Sequence, residues 1–514
     1  APTTALIKAT GNGVHNTAIT YQDASDASTG FTEGDYPAAG TFSPYRSGGY
    51  SYFNDATNTN WLEYANSTDF QMTITDDWTI EAWVYPTEVG INNYILSQGT
   101  SPRTSAFGIT TSNTLGFQIY DGSNKVLYYS TGTISGKYEW THVALTHQTT
   151  GASTGTHEAY ELRDNENNDY LGKSVFKAVE NINGPIFKAL NNIDTKDQKK
   201  IDKILIELDG TEQKKRLGAN AILAVSIAAI KNAALEKKTP LFKFIGGNAV
   251  NTLPIPMMNI INGGAHANNS LEIQEFMIRP DGAESFKECM RMSYLVIQKL
   301  KKNLEKMNIS TSVGDEGGFA PSLKSDEQAI EFIIQSIESA GFVPGKDISI
   351  CLDVAANELK KPKNVEYFTN LLNKYPIKSI EDPFNEDDWK SSSELTSKTN
   401  IQIVGDDLFA TNLKRLKKGI SEKSANAILI KPNQVGTVSE TLDAINLAHE
   451  NKFQTVISHR SGDSEDTFIA DLAVATKSSQ IKTGSLSRSE RVSKYNRLIR
   501  IEEELGNSSK IAKI

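Results

Sequence analysis

Five apolar runs in the second half of the chain each end on a residue that can do chemistry: ISICLDV, IKSIEDPF, IQIVGDDL, NAILIKPNQ and TVISHRSG. Those residues are Asp353, Glu381, Asp406, Lys431 and His459, and Lys482 follows in QIKTGS. The spacings are 28, 25, 25, 28 and 23 residues. One strand, one helix and two turns consume about that much chain, so each interval fits one βα unit. A barrel of such units sets the C-terminal ends of its strands on one rim, where active sites sit. The spacing therefore predicts a ring of three carboxylates, two lysines and a histidine.

The rest of the chain is of another kind. Up to about residue 150, lysine is rare, Ser, Thr, Gly and Asn abound, and Trp61, Trp78, Trp83 and Trp140 all occur. WTIEAWVYP (78–86), FGITTS (107–112), LGFQIYDG (115–122), KVLYYST (125–131) and WTHVALTHQ (140–148) are short β-branched and aromatic runs separated by turn residues. Such runs predict an antiparallel sandwich or jelly roll, with Trp83 and Trp140 as fillers of its core. Beyond residue 150, helical patterns appear, above all LGANAILAVSIAAIKNAALEKK (217–238), apolar around most of its circumference and hence expected to be buried against other helices. A length of 514 residues allows several domains, and a net charge of −9 argues against nucleic acid as a partner. The two cysteines, Cys289 and Cys351, sit in separate apolar contexts and give no disulfide framework. No apolar run reads as a membrane span, and APTTALIKAT lacks the basic and apolar regions of a signal peptide, so a cytoplasmic protein is expected.

The ring residues set the chemistry. Asp353, Glu381 and Asp406 would repel one another if held close, unless a cation neutralised them. Carboxylate oxygens without nitrogen or sulfur donors suit Mg²⁺. Lys431, after the apolar AILI and before Pro432, reads as a shielded lysine whose pKa burial and nearby metal charge would lower toward that of a base. His459, Arg460 and Ser461, with Lys482, suit a phosphate or carboxylate. Two glycine-rich segments add candidates: INGGAHANNSLEIQEF with His266, Gln274 and Glu275, and SVGDEGGFAP with Asp315 and Glu316. A third, GASTG with Ser153, reads as a loop able to close over a ligand.

Taken in order, GASTG, LGANAILAVS, NIINGGAHA, LEIQEFMI, VGDEGGFAP, SIEDPFNEDDW, VGDDLFATN, LIKPNQVGT, ISHRSGDSED and IKTGSLSRSERVSKYNRLIRIEE resemble the motifs of enolases over residues 151–514. WTIEAWVYP and WTHVALTHQ resemble the laminin-G-like, concanavalin-A-like jelly roll over residues 1–148. Together they imply a multidomain chain: an all-β jelly roll at 1–148, a partial α+β cap at 149–250 and an α/β TIM-like barrel at 251–514. The enolase resemblance implies dehydration of 2-phosphoglycerate to phosphoenolpyruvate with a pair of Mg²⁺ ions, and a homodimer. It implies Asp353, Glu381 and Asp406 as ligands of one metal and Ser153 of the other. Lys431 would be the base and Glu316 the acid, with Glu275 and Lys482 supporting them and Gln274, His266, His459, Arg460 and Ser461 on the substrate. A glycan or protein ligand, or association with a surface or virion, is what the jelly-roll resemblance would add.

The chain departs from the enolase pattern in three places. The hairpin that usually precedes GASTG, part of the cap and of the dimer contact, is replaced by the jelly roll. The stretch between Asp353 and Glu381 is shorter than usual, and Asn357 stands where a serine is usual. A lectin-like protein with an inactive barrel is the alternative these departures raise.

Overall fold

The computed structural model describes residues 155–164 and 172–514 and, before them, the backbone of ten strands between Phe31 and His147. The chain forms two compact units, Ala1–Thr149 and Thr150–Ile514.

The first unit holds β1 (Phe31–Glu33), β2 (Ala38–Gly40), β3 (Ser51–Phe53), β4 (Leu62–Tyr64), β5 (Trp78–Val84), β6 (Asn93–Gln98), β7 (Ser105–Ile109), β8 (Thr114–Tyr120), β9 (Lys125–Thr133) and β10 (Thr141–His147). β6 to β9 form a four-stranded antiparallel meander. β10 returns across it in sequence to pair antiparallel with β5, Trp78 opposite His147. This arrangement agrees with the expected jelly-roll type of domain. The side chain of Trp83, and all of Trp140, lie outside the described residues.

The second unit begins with helices. Phe176–Asn181, Phe187–Leu190, Gln198–Asp209 and Ala219–Glu236 pack around Ala178, Ile186, Ile201, Leu205, Leu217 and Ile222. Among the described residues, Ala219–Glu236 is the one helix long and apolar enough to cross a membrane, a property the sequence reading had not granted it. Its place is that of a core helix: Ala221, Ile222 and Ala229 face the cap core, and Ile230 joins the core outside the barrel.

Eight strands then close a barrel: β12 (Ile255–Asn262), β13 (Glu275–Arg279), β14 (Ser349–Asp353), β15 (Ile377–Glu381), β16 (Gln402–Gly405), β17 (Ala427–Ile430), β18 (Gln454–Ser458) and β19 (Gln480–Lys482). A short parallel pair, β11 (Thr252–Leu253) with β20 (Lys510–Ile511), lies beside them. Strand periodicity sorts the side chains. Met257, Met277, Cys351, Val404, Ala427, Leu429 and Val456 form the inner core. Their neighbours Met258, Ile278, Ile350, Leu352, Ile428, Ile430 and Ile457 pack outward in the core that includes the helices. Two residues beyond the inner core lie Asp353, Asp406 and Lys431, so the same inward phase carries them to the rim.

The barrel departs from an all-parallel pattern at one strand. β13 runs antiparallel to both β12 and β14. No helix of crossover length separates β12 from β13, whereas Phe286–Lys306 and Asp326–Ser339 both fall between β13 and β14. The start of β13 therefore lies on the rim formed by the other strands' ends, and Glu275 pairs with both Asn262 and Asp353. Side-chain caps mark many of the helix starts: Ser285, Ser325, Asn364, Asp388, Asn412 and Thr437 each accept from a backbone N–H in the first turn. Asn364 matters most here, because it starts the helix Val365–Lys374 soon after Asp353.

Candidate active site

The rim surrounds a cavity of about 310 Å³ lined by Asp353, Asp406, Lys431, Lys482, Glu275 and Glu316, with His266, Gln274 and His459–Ser461. At its floor, the Lys482 Nζ donates to Asp353 Oδ2 at 2.7 Å and to both Glu381 oxygens at 3.0 Å, and lies 3.4 Å from Glu275 Oε1. Relative exposures are 3% for Lys482, 5% for Asp353, 1% for Glu381 and 2% for Glu275. One ammonium thus faces three largely buried carboxylates. Burial, then Asp353, pushes the Glu381 carboxyl well above its ordinary range against the pull of Lys482. Burial and Glu316 do the same to Glu275. Burial would lower Lys482, but Asp353, Glu275 and Glu381 outweigh it and hold its pKa well above that of a free lysine.

Lys431 donates to Asp406 Oδ2, and Gln434 Nε2 donates to Asp406 Oδ1 at 2.8 Å. The expectation that surroundings lower the Lys431 pKa meets a different local balance: burial does lower it, but Asp406 outweighs burial and raises it. Beside this pair, Asp382 accepts from the backbone N–H groups of Asp406 (3.0 Å) and Asp407 (2.6 Å). Burial and Asp406 push Asp407 up to about 7.

Glu316 lies on the opposite chemical side of the balance. His459 Nε2 is 3.2 Å and His266 Nδ1 3.8 Å from Glu316 Oε1, and Asn259 Nδ2 donates to Oε2 at 3.2 Å. Burial alone would raise its pKa, but the histidines and Arg491 hold it well below the usual carboxylate range. The turn after it is tight: Gly317 has φ +82°, and a Cβ there would lie 2.4 Å from the Ser487 carbonyl oxygen. Arg460 reaches the cap, donating to Glu158 Oε2 at 2.6 Å. Glu158 Oε1 also accepts from Gly155 N at 3.0 Å and Gln434 Nε2 at 3.4 Å.

Comparison with known proteins decides what this rim belongs to. Residues 250–368 and 357–513 match the enolase C-terminal TIM barrel domain, and residues 134–245 match the enolase N-terminal domain. An enolase of Pelagibacter ubique (strain HTCC1062) is 58% identical over 379 residues, covering 71% of this chain and 91% of that protein. The chain belongs to the enolase family. Enolases are phosphopyruvate hydratases, carbon–oxygen lyases, and this chain is one of them. Residues 56–157 match the concanavalin A-like lectin/glucanases superfamily. That match and the enolase N-terminal match overlap from 134 to 157, so the enolase likeness reaches further upstream than GASTG.

The enolase family implies a divalent cation, and the residues present fit one. Asp353, Glu381 and Asp406 offer only oxygen donors and are buried, and on the same rim Glu275 Oε2 has no hydrogen-bond partner. Among the described residues, three groups bring metal-capable atoms within 4.8 Å of one another: His157 with Glu386 and Asp387, His266 with Glu275 and Glu316, and Asp382 with Asp406 and Asp407. Asp406 belongs to one of these, while Asp353 and Glu381 gather around Lys482 instead. Ser153 lies outside the described residues; Gly155 and Thr156 just after it line the cavity. All other expected site residues share the rim.

Several partners escaped the sequence reading. Glu158, Asn259, Asp382, Gln434 and Arg491 each touch an expected residue, and Asp407 touches Asp382. Asp382 and Asp407 sit next to Glu381 and Asp406 in EDP and GDD, where paired acids gave a signal. Glu158 lies five residues after Ser153 with no periodic pattern to single it out.

Proposed function

We propose that this rim eliminates water from 2-phosphoglycerate to give phosphoenolpyruvate, with the Lys431 Nζ accepting the C2 proton and the Glu316 carboxyl delivering a proton to the departing C3 hydroxyl. The observation that carries the reading is that Lys431 and Glu316 line one cavity with Asp353 and Asp406, and that Glu381 is joined to that ring through Lys482. Asp353, Glu381 and Asp406, with Ser153, would hold Mg²⁺, which when bound supplies positive charge against the dianion that forms on the substrate carboxylate. Lys482 places an ammonium beside the same developing charge, and Glu275 holds Lys482 at 3.4 Å. His266, Gln274, His459, Arg460 and Ser461 would bind and orient the substrate. Lys431 serves as a base only when its proton is gone, so Asp406, which now keeps it charged, sets when it acts. The domain limits 1–148, 149–250 and 251–514, with the usual cap hairpin replaced by the jelly roll, complete the reading. A glycan-binding protein with an inactive barrel is not favoured, given a 58% identical enolase.

The test is turnover by the full chain. With 2-phosphoglycerate and Mg²⁺, phosphoenolpyruvate absorbance should rise at a rate that Lys431→Ala lowers by about 10²–10⁴-fold, the range for a positioned acid or base. A native rate no higher than that of Lys431→Ala would overturn it.

A further inference from the structure

Arg491 lies on the helix Ser489–Leu505 and is 0% exposed, an unusual place for a guanidinium. It is held by acceptors from two loops. Its Nη1 donates to the Arg460 carbonyl at 2.6 Å and lies 2.6 Å from His459 Nδ1. Its Nη2 donates to the Ser461 carbonyl at 2.6 Å and the Asp315 carbonyl at 3.3 Å. Gly484, at φ +77°, leaves room for the stem; a Cβ there would lie 2.8 Å from Arg491 Cδ.

A guanidinium has donors and no acceptor, and it does not lose its proton in proteins. At 2.6 Å from Nη1, His459 Nδ1 must therefore offer a lone pair. The other tautomer would set N–H against N–H at Arg491. It would also aim a bare Nε2 at Glu316 Oε1, 3.2 Å away, turning acceptor on acceptor. An imidazolium would keep the first clash and bring a second buried cation against the guanidinium. One arrangement satisfies both ends: a neutral ring with its proton on Nε2, given to Glu316.

We propose that Arg491 is a positioning residue that locks His459 as the neutral, Nε2-protonated tautomer and so keeps it a hydrogen-bond donor to Glu316. This deepens the reading of Glu316 as the acid and rests on it for its catalytic meaning. Asn259 Nδ2 already donates to Oε2 at 3.2 Å, so both Glu316 oxygens accept from the protein. These donors favour the ionised carboxylate, so a proton that Glu316 delivers must sit on a lone pair that neither of them occupies, directed to the leaving hydroxyl rather than shared with the histidine. His459 buffers nothing in this scheme; it aims the carboxyl.

Nitrogen-15 histidine spectra of the full chain test the lock directly. The chain has seven histidines, and His459→Gln identifies the relevant signals. The expected result at neutral pH is a single Nε2–H tautomer for His459. Arg491→Lys, which keeps a cationic donor, should retain it. Arg491→Met should give mixed tautomers and a kcat lower by about 100-fold with KM little changed, the size expected when a catalytic group is misplaced. A native His459 carrying its proton on Nδ1, or on both nitrogens, overturns the proposal. So does an Arg491→Met protein with the native tautomer and native kcat. Should Arg491→Met fail to fold, the native spectrum decides alone. If the native chain shows no turnover, the proposed reaction fails while the tautomer still tests the lock.

Discussion

Replacing Lys482 by Met keeps the length of the stem and removes one charge from a place where three carboxylates depend on it. Each acid is at most 5% exposed, so water entering from the cavity can replace only part of the ammonium's neutralising charge. Removing one partner of a buried ion pair costs about 3–5 kcal/mol. The variant has one escape, which is to protonate an acid. Glu381 and Glu275 are already pushed upward by burial and by their neighbours, so the escape is short. Each pH unit between such a pKa and neutrality adds about 1.4 kcal/mol. The sign follows: a carboxyl whose pKa is higher folded than unfolded binds more protons when folded, so the folded state gains as pH falls toward that pKa. Lys482→Met should therefore be about 3 kcal/mol less stable than the native chain at pH ~7 in chelator, with a deficit that narrows toward pH ~5.

Mg²⁺ should stabilise both proteins, because a cation binding only the folded state adds about 2.7 kcal/mol at a hundredfold excess over its Kd. It should also narrow the deficit, because the variant lacks the ammonium that competes for the same carboxylates. Urea unfolding followed by the helical ellipticity band is the assay, since every described helix lies in the second unit. Equal stability of variant and native at neutral pH in chelator would refute the argument, because it would mean Lys482 does not neutralise the ring. Native stability that does not rise with Mg²⁺ would separately refute the cation site.

His459 gives a second pH test. Burial, helped by Arg491 against the pull of Glu316, holds its pKa at about 4, below the ~6.5 of an unfolded histidine. The native chain should lose on the order of 3 kcal/mol as pH falls from ~6.5 to ~4 through this residue, and urea midpoints of His459→Gln should fall less steeply over that window. Gly317→Ala forces a side chain into a left-handed conformation and onto the Ser487 carbonyl. It should cost about 1–3 kcal/mol and lower kcat by displacing Glu316, both measurable on one preparation. Phe368, fully buried and edge-on to Phe384 with centroids 5.5 Å apart, should cost about 3–5 kcal/mol as Phe368→Ala in the same urea assay.

What the sequence could reveal about this site follows from how each residue reaches it. Asp353, Asp406 and Lys431 extend the inward phase of Cys351, Val404 and Leu429, so strand alternation and βα spacing were enough to place them on one rim. The antiparallel turn at β13 is invisible to spacing, and with it the reason why Glu275, at a strand's beginning, meets Asp353 at a strand's end. Ordered motifs supplied that residue where periodicity could not. Glu158 and Arg491 belong to a harder class. Glu158 meets Arg460 across 302 residues, and Arg491 joins Asp315 across 176. On the chain, Arg491 is one more charge in SERVSKYNRLIR, indistinguishable from the solvated face of any amphipathic helix. Only its burial marks it, and burial is a property of the closed barrel. The ring of acids and lysines is thus written locally, strand by strand, whereas the groups that fix their protonation are set by contacts that exist only once the barrel has closed.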